Sequence, residues 1–161
     1  GAFLHMFNHS MGKSLLFMSA GNIAQKYHSK YIERISGVIR AMPWTGGIFL
    51  FAALAVAGAP PFSIFISEFT IMMAGVEAEK LWASCALAGL VVLIFAGMTY
   101  YVVRMAFGEI PTRIGSKTTD VWMKCAMLIP FIFIVLCGIY VPEFIQDSIC
   151  IAASVLEGGG K

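Results

Sequence analysis

The stretch HMFNHSMGK, residues 5–13, lies within an otherwise apolar run, GAFLHMFNHSMGKSLLFMSAG, that fills residues 1–21. His5, His9 and Lys13 each stand four residues from the next. On an α-helix such a step advances about 40° around the axis and about 6 Å along it, so the three form a slanted file about 12 Å long on one face. Asn8 and Ser10 lie to either side of His9. What a file of polar groups does there depends on the solvent around the helix.

That solvent is lipid. Charged residues are 12% of the 161, against roughly a quarter in a typical soluble domain. Mean hydropathy is +0.83, and several apolar runs reach the roughly 20 residues that a bilayer crossing needs. A soluble domain of this size would expose large apolar patches. The expected class is therefore an all-α integral membrane protein. A net charge of +2 and the lack of a long basic run argue against nucleic acid. Cys85, Cys125, Cys137 and Cys150 show no C-x-x-C spacing and are expected to be small buried hydrophobes. No basic n-region and cleavage site mark a signal peptide. A chain that opens at Gly1, already inside an apolar segment, is expected to be a fragment, a processed chain or half of a split protein.

Five spans are expected, at about 1–23, 43–58, 61–76, 81–103 and 121–140, with a kink at Pro130. The polar stretch 24–40 carries Lys26, Lys30, Arg34 and Arg40 against Glu33 and is expected as an interfacial loop or short amphipathic helix. His28 falls there and is expected to be solvated. The apolar run from Met42 to Val76 is too long for one span and is broken at GAPP, residues 58–61. Tandem prolines remove backbone donors and clash with the preceding turn. Tyr100, Tyr101 and Arg104 read as interface anchors, and Lys124 can snorkel. Residues 1–142 are thus expected to form the transmembrane bundle, and 143–161 an amphipathic surface tail with a flexible Gly-rich end. Five spans would put the loop after the first span and the one after the fourth, with Arg104, Arg113 and Lys117, on opposite sides of the membrane, and the four cations of the first would make the 26–40 loop the cytoplasmic one.

Lys13 and Glu68 are the ionisable groups that lie far from any polar span end. A charge at mid-bilayer costs about 2.5–3.5 kcal/mol on insertion scales, and such residues face a bundle interior or a hydrated path. Two roles fit: a structural Lys13–Glu68 ion pair, or transport of charge. Imidazoles can accept at one nitrogen and donate at the other, so His5 and His9 can pass protons. A low-dielectric surround disfavours an ammonium, so a lysine there can take and release a proton. The same spacing would suit a helical zinc pair or bis-imidazole haem. A third ligand and an H-E-x-x-H glutamate are missing, and Lys13 would repel a cation, so no metal and no cofactor are assigned. The second special stretch is GAPPFSIFISEFTIMM, residues 58–73, in which Gly58, Pro60 and Pro61 open a helix bearing Ser63, Ser67 and Glu68. Irregular backbone at membrane depth is tolerated where it is buried in protein or lines a cavity, and a broken helix beside an ionisable residue is a recurring transporter device.

HMFNHSMGKSLLFMSAGNI, followed by AGAPPFSIFISEF at 57–69, resembles the C-terminal half of the antiporter-like membrane subunits. These are shared by respiratory complex I, Mrp-type cation/proton antiporters and membrane-bound nickel–iron hydrogenases. The words NHSMGKSLLF, AGNI and GAPPFSIFISEF are most similar to the hydrogenase-4 component F branch. The resemblance covers about residues 1–142. It implies one of two inverted repeats, each forming a half-channel. It also implies that Lys13 is the central lysine, that His5 and His9 hydrate and connect it, and that Glu68 is the ionisable residue on the exit side of a broken helix. Some relatives carry lysine at that last position. The implied function is ion translocation, of protons first, by a non-catalytic subunit of a redox-driven complex in a prokaryotic inner membrane. The alternatives are a freestanding Mrp-type antiporter subunit and a purely structural subunit. Implied partners are lipids, peripheral iron–sulfur and nickel–iron subunits, and other membrane subunits, one of which would supply the first half-channel that this chain does not contain.

Overall fold

Long apolar runs leave the backbone no water to bond, so the chain closes its hydrogen bonds inside helices. The computed structural model describes residues 2–60, 62–111, 115, 121–139, 151, 152 and 155. Its elements are α1 (Ala2–Tyr27), a 3-10 turn (Ile32–Arg34), α2 (Val38–Ala41), α3 (Pro43–Val56), α4 (Ser63–Glu77), α5 (Leu81–Phe107) and α6 (Val121–Ile139). Several of the hydroxyls carried inside these helices are spent locally. Ser10, Ser14, Ser19 and Thr70 each donate to the carbonyl four residues back, which lets them sit in apolar surroundings without an orphan donor.

Proline and a left-handed residue punctuate the middle of the chain. Pro43 opens α3, where its missing N–H is an orphan in any case. α3 closes with the Gly58 N–H donating to Ala55 O at 3.3 Å and the Ala59 N–H to Leu54 O at 3.0 Å. That is the Schellman pattern, with Gly58 at φ 81°. α4 closes the same way. The Glu79 N–H donates to Val76 O at 3.0 Å and the Lys80 N–H to Gly75 O at 2.9 Å, and Glu79 takes the left-handed position at φ 58°. Pro130 is buried inside α6 without ending it.

Packing sets the direction of each helix. Ile23 and Tyr27, late in α1, share a core with Val38, Phe49 and Ala53. Leu15 packs with Ile48, Ala52 and Ala55. A Cβ added at Gly12 would lie 2.7 Å from Val56 Cγ2 and 3.4 Å from Ile64 Cδ1. Asn8 reaches Ser63, and His5 reaches Ser67. Followed from its end to its start, α1 therefore meets first α3 and then α4. The two short helices lie end to end along one partner.

α5 runs back beside both. Near its start, Ser84 Oγ donates to Met72 O at 3.0 Å; near its end, Val102 and Met105 join the core of Phe49 and Ala53. α6 reverses again, with Met127 accepting from Asn22 Nδ2 at 3.3 Å and Phe133 meeting the Phe7 ring at 5.2 Å. The result is an up-down-up-down bundle whose second member is broken.

This departs from the expectation of separate spans at 43–58 and 61–76. α3 has 14 residues and α4 has 15, which at 1.5 Å each is about 21 and 22 Å, short of the roughly 30 Å hydrocarbon core. Among the described residues, α5 and residues 121–138 of α6 are long and apolar enough to cross a membrane.

A second departure concerns the basic loops, which were expected on opposite sides. The Gly115 N–H donates to Lys26 O at 2.8 Å, and Ser36 Oγ donates to Glu109 O. The segments after α1 and after α5 therefore meet at one end of the bundle, because an in-line pair of half-helices reverses the chain once rather than twice. A third departure is that, among the described cysteines, Cys137 is buried whereas Cys85 and Cys125 are exposed; both exposed ones sit on helices with outward apolar faces. Pro61, Arg113, Lys117, Cys150 and the tail expected at 143–161 lie outside the described residues, apart from residues 151, 152 and 155.

Candidate ion pathway

The break between α3 and α4 is built around Gly58. Its positive φ already disfavours any L side chain, and an added Cβ would collide with Glu68 Oε2 and lie 3.2 Å from Glu68 Cδ. The Glu68 carboxyl thus folds back from the second turn of α4 onto the end of α3. Its Oε2 is buried and has no hydrogen-bond partner. Ser63 Oγ and Asn8 Oδ1 are in the same condition. Asn8 Nδ2 donates to Ser63 O at 3.3 Å, which ties these two groups into one patch where α1 meets the start of α4.

His5 joins the patch through α4. Its Nδ1 lies 3.0 Å from Ser67 Oγ, while the Ser67 hydroxyl donates its single proton to Ile64 O at 2.7 Å. Nδ1 is therefore the donor, and in the neutral ring Nε2 is left as an acceptor. The His5 and His9 rings stack with centroids 5.5 Å apart and planes 23° apart. Chemically, the arrangement offers an alternating series of acceptors and donors beside a carboxyl group. Among the described residues, no group of three or more His, Cys, Asp and Glu side chains is placed to share a metal ion.

Lys13 does not join them. His5 and His9 are half-buried, but Lys13 is exposed on the outer face of α1 with Met6, Ser10, Ser14 and Phe17. The cause is the file's own drift, since two steps of about 40° carry Lys13 about 80° away from the direction of His5. The lone oxygen of Glu68 also means that no Lys13–Glu68 ion pair engages Oε2 within this chain. Sequence reasoning undervalued Asn8, which is 1% exposed. A signal was there: Asn8, Gly12, Leu15, Ser19 and Asn22, all buried, recur every three or four residues and form the packing face of α1. Small and amide residues at that spacing let membrane helices approach closely.

A helical bundle with an apolar exterior and polar groups buried at a broken helix has the build of a membrane ion-transport subunit. The family model described as NADH:quinone oxidoreductase/Mrp antiporter, TM matches residues 1–95, which take in α1 to α4 and the first half of α5. The hydrogenase-4 component F homolog of Methylacidiphilum infernorum (isolate V4) is 32% identical over 144 residues, covering 89% of this chain and 29% of the relative. Hydrogenase-4 component B of Escherichia coli (strain K12) is 32% identical over 108 residues, covering 66% of this chain and 16% of the relative. NADH-ubiquinone oxidoreductase chain 4 of Marchantia polymorpha is 28% identical over 163 residues, covering 100% of this chain and 32% of the relative. The chain belongs to the NADH:quinone oxidoreductase/Mrp antiporter transmembrane family. It spans about a third or less of the length of these relatives.

Proposed function

We propose that this chain carries one half-channel of an ion-translocating membrane subunit in a redox-driven complex, and that the ion is the proton. The observation that carries this is the cluster of buried, unpartnered oxygens at the break: Asn8 Oδ1, Ser63 Oγ and Glu68 Oε2. Buried polar atoms are normally bonded to protein or to ordered water, so three together favour a hydrated path. His5, its Nδ1 held on Ser67, presents Nε2 towards a proton donor, and the stacked His9 continues the file towards Lys13. Glu68 takes or releases a proton at the broken helix. Energy reaches these groups through coupling to neighbouring subunits, so the chain itself carries no redox chemistry.

α3 and α4 together make a single discontinuous crossing, so the bundle of residues 1–142 crosses four times rather than five. An exposed ammonium at mid-depth would be costly against lipid. The part of the outer face of α1 around Met6, Ser10 and Lys13 therefore docks on protein: the remainder of a longer subunit, or a second membrane chain that supplies the other half-channel. Peripheral iron–sulfur and nickel–iron subunits complete a hydrogenase-4-like assembly in a prokaryotic inner membrane. A complex I-like assembly shares the same pathway, and a freestanding Mrp-type antiporter would purify without redox subunits.

The test is ion uptake per electron in reconstituted vesicles of the assembled complex. Lys13→Ala and Glu68→Gln are each expected to leave assembly and electron transfer largely intact while uptake through this path falls by about 100-fold or more, the lower end of what a positioned proton-transfer group contributes. Wild-type stoichiometry in both variants would assign Lys13 and Glu68 to structure alone.

A further inference from the structure

We propose that the groove between α1 and α5 holds one anionic diacyl phospholipid, with its phosphate on Lys30 and Arg104 and an acyl chain along Phe17, Gly21 and Met98. The inference uses the membrane setting of the chain but not the assignment of its ion pathway.

Two contiguous cavities carry it. The first, of about 630 Å³, is lined almost wholly by apolar groups, among them Leu16, Phe17, Ala20, Gly21 and Met98. That volume lies within the roughly 300–1,000 Å³ of ordinary ligand sites. The second, of about 750 Å³, is a polar cleft lined by Tyr31, Glu33, Tyr100 and Arg104. Lys30, Ile32 and Tyr101 border both, so the apolar groove opens directly into the polar cleft.

The polarity runs one way. Two cations, Lys30 and Arg104, face a single carboxylate, Glu33, and three tyrosines in the cleft add aromatic bodies and hydroxyl donors. Arg34 is turned aside, its guanidinium 5.4 Å from the centre of the Tyr31 ring. Tyrosines and snorkelling cations at a helix end mark the headgroup level of a bilayer. An occupant must therefore be apolar along about two turns of α1 and anionic at the headgroup level. A phospholipid has that shape and charge. The groove also has unused depth, because a Cβ added at Gly21 would meet nothing within 4 Å.

The basic end of the bundle supplies the long-range attraction. Lys26, Lys30, Arg34, Arg40 and Arg104 gather there, and each cation near a membrane surface favours anionic lipid.

The experiment is native mass spectrometry of the assembled complex, extracted in neutral detergent and titrated with dioleoylphosphatidylglycerol or dioleoylphosphatidylcholine. The wild type is expected to retain one more phosphatidylglycerol than the Gly21→Leu variant, whose side chain enters the open groove. Lys30→Ala combined with Arg104→Ala should weaken phosphatidylglycerol retention on the order of thirtyfold and leave phosphatidylcholine unchanged, as expected for loss of two surface cations. The three residues changed in this way are away from the polar patch at the break, and unfolding midpoints confirm that each variant is folded. Equal retention of the two lipids by the wild type overturns the proposal, and so does a Gly21→Leu variant that keeps the extra lipid.

Discussion

Gly58 joins backbone conformation to chemistry at a single position. Its left-handed φ lets α3 end, and its missing side chain leaves the space that the Glu68 carboxyl occupies. Gly58→Ala should therefore lower stability by about 1–2 kcal/mol from the backbone alone, with a further loss from displacing the carboxyl. In a Glu68→Ala background the second loss should vanish while the first remains. Thermal unfolding in detergent of the two single variants and the double variant would measure this coupling. Strict additivity would separate Gly58 from Glu68. Lys13 teaches the complementary lesson at this scale. Its type and spacing were legible in HMFNHSMGK, but its exposure was not, because a helix's packing face is chosen by what lies beside it.

The two half-helices end with the same hydrogen-bond pattern and different residues in the left-handed position. Glycine suits that position in α3. In α4 it is held by Glu79, which is exposed. A residue with a Cβ bears about 1–2 kcal/mol of strain in that region, so Glu79→Gly should stabilise the protein by up to about 1 kcal/mol after the added chain entropy of glycine is counted. The check is an upward shift of the unfolding midpoint in detergent; a downward shift would mean that the Glu79 side chain contributes more than its strain costs. The Pro60-Pro61 pair made the break itself legible. The direction taken after it was not. Proline dictates that a helix stops, whereas the close passage of Gly12 past both Val56 and Ile64 holds the halves in line.

Across the whole bundle, that in-line break brings both basic loops to one end. The other end has Glu77, Glu79 and Lys80. Cations concentrated on one side set orientation, so the end bearing Lys30, Arg34 and Arg104 is predicted to be the cytoplasmic one. Single cysteines introduced at Glu33 and Glu109 in a cysteine-free background should react with a membrane-impermeant reagent from that side, and a cysteine at Lys80 from the other. A chain with five full crossings would instead place 33 with 80 and leave 109 opposite, so the labelling pattern separates the two topologies without reference to transport.

Composition, hydropathy and proline placement by themselves determined that this chain is helical, that it lives in lipid, where its helices stop, and that Lys13 and Glu68 are out of place unless something uses them. These are local properties, because a backbone in an apolar run must bond within its own helix and a proline acts on the turn that precedes it. Only the tertiary structure decided that α3 and α4 form one broken line, that the loops carrying Lys26 and Glu109 share an end, and that Asn8, Ser63 and Glu68 present unpartnered oxygens at the break. Each of those depends on which residue lies alongside which. In a bundle whose faces are nearly all apolar, hydropathy does not distinguish one neighbour from another. That choice rests on close fit, as at Gly12 against Val56, and on the few hydrogen bonds that cross between helices, as from Asn8 to Ser63.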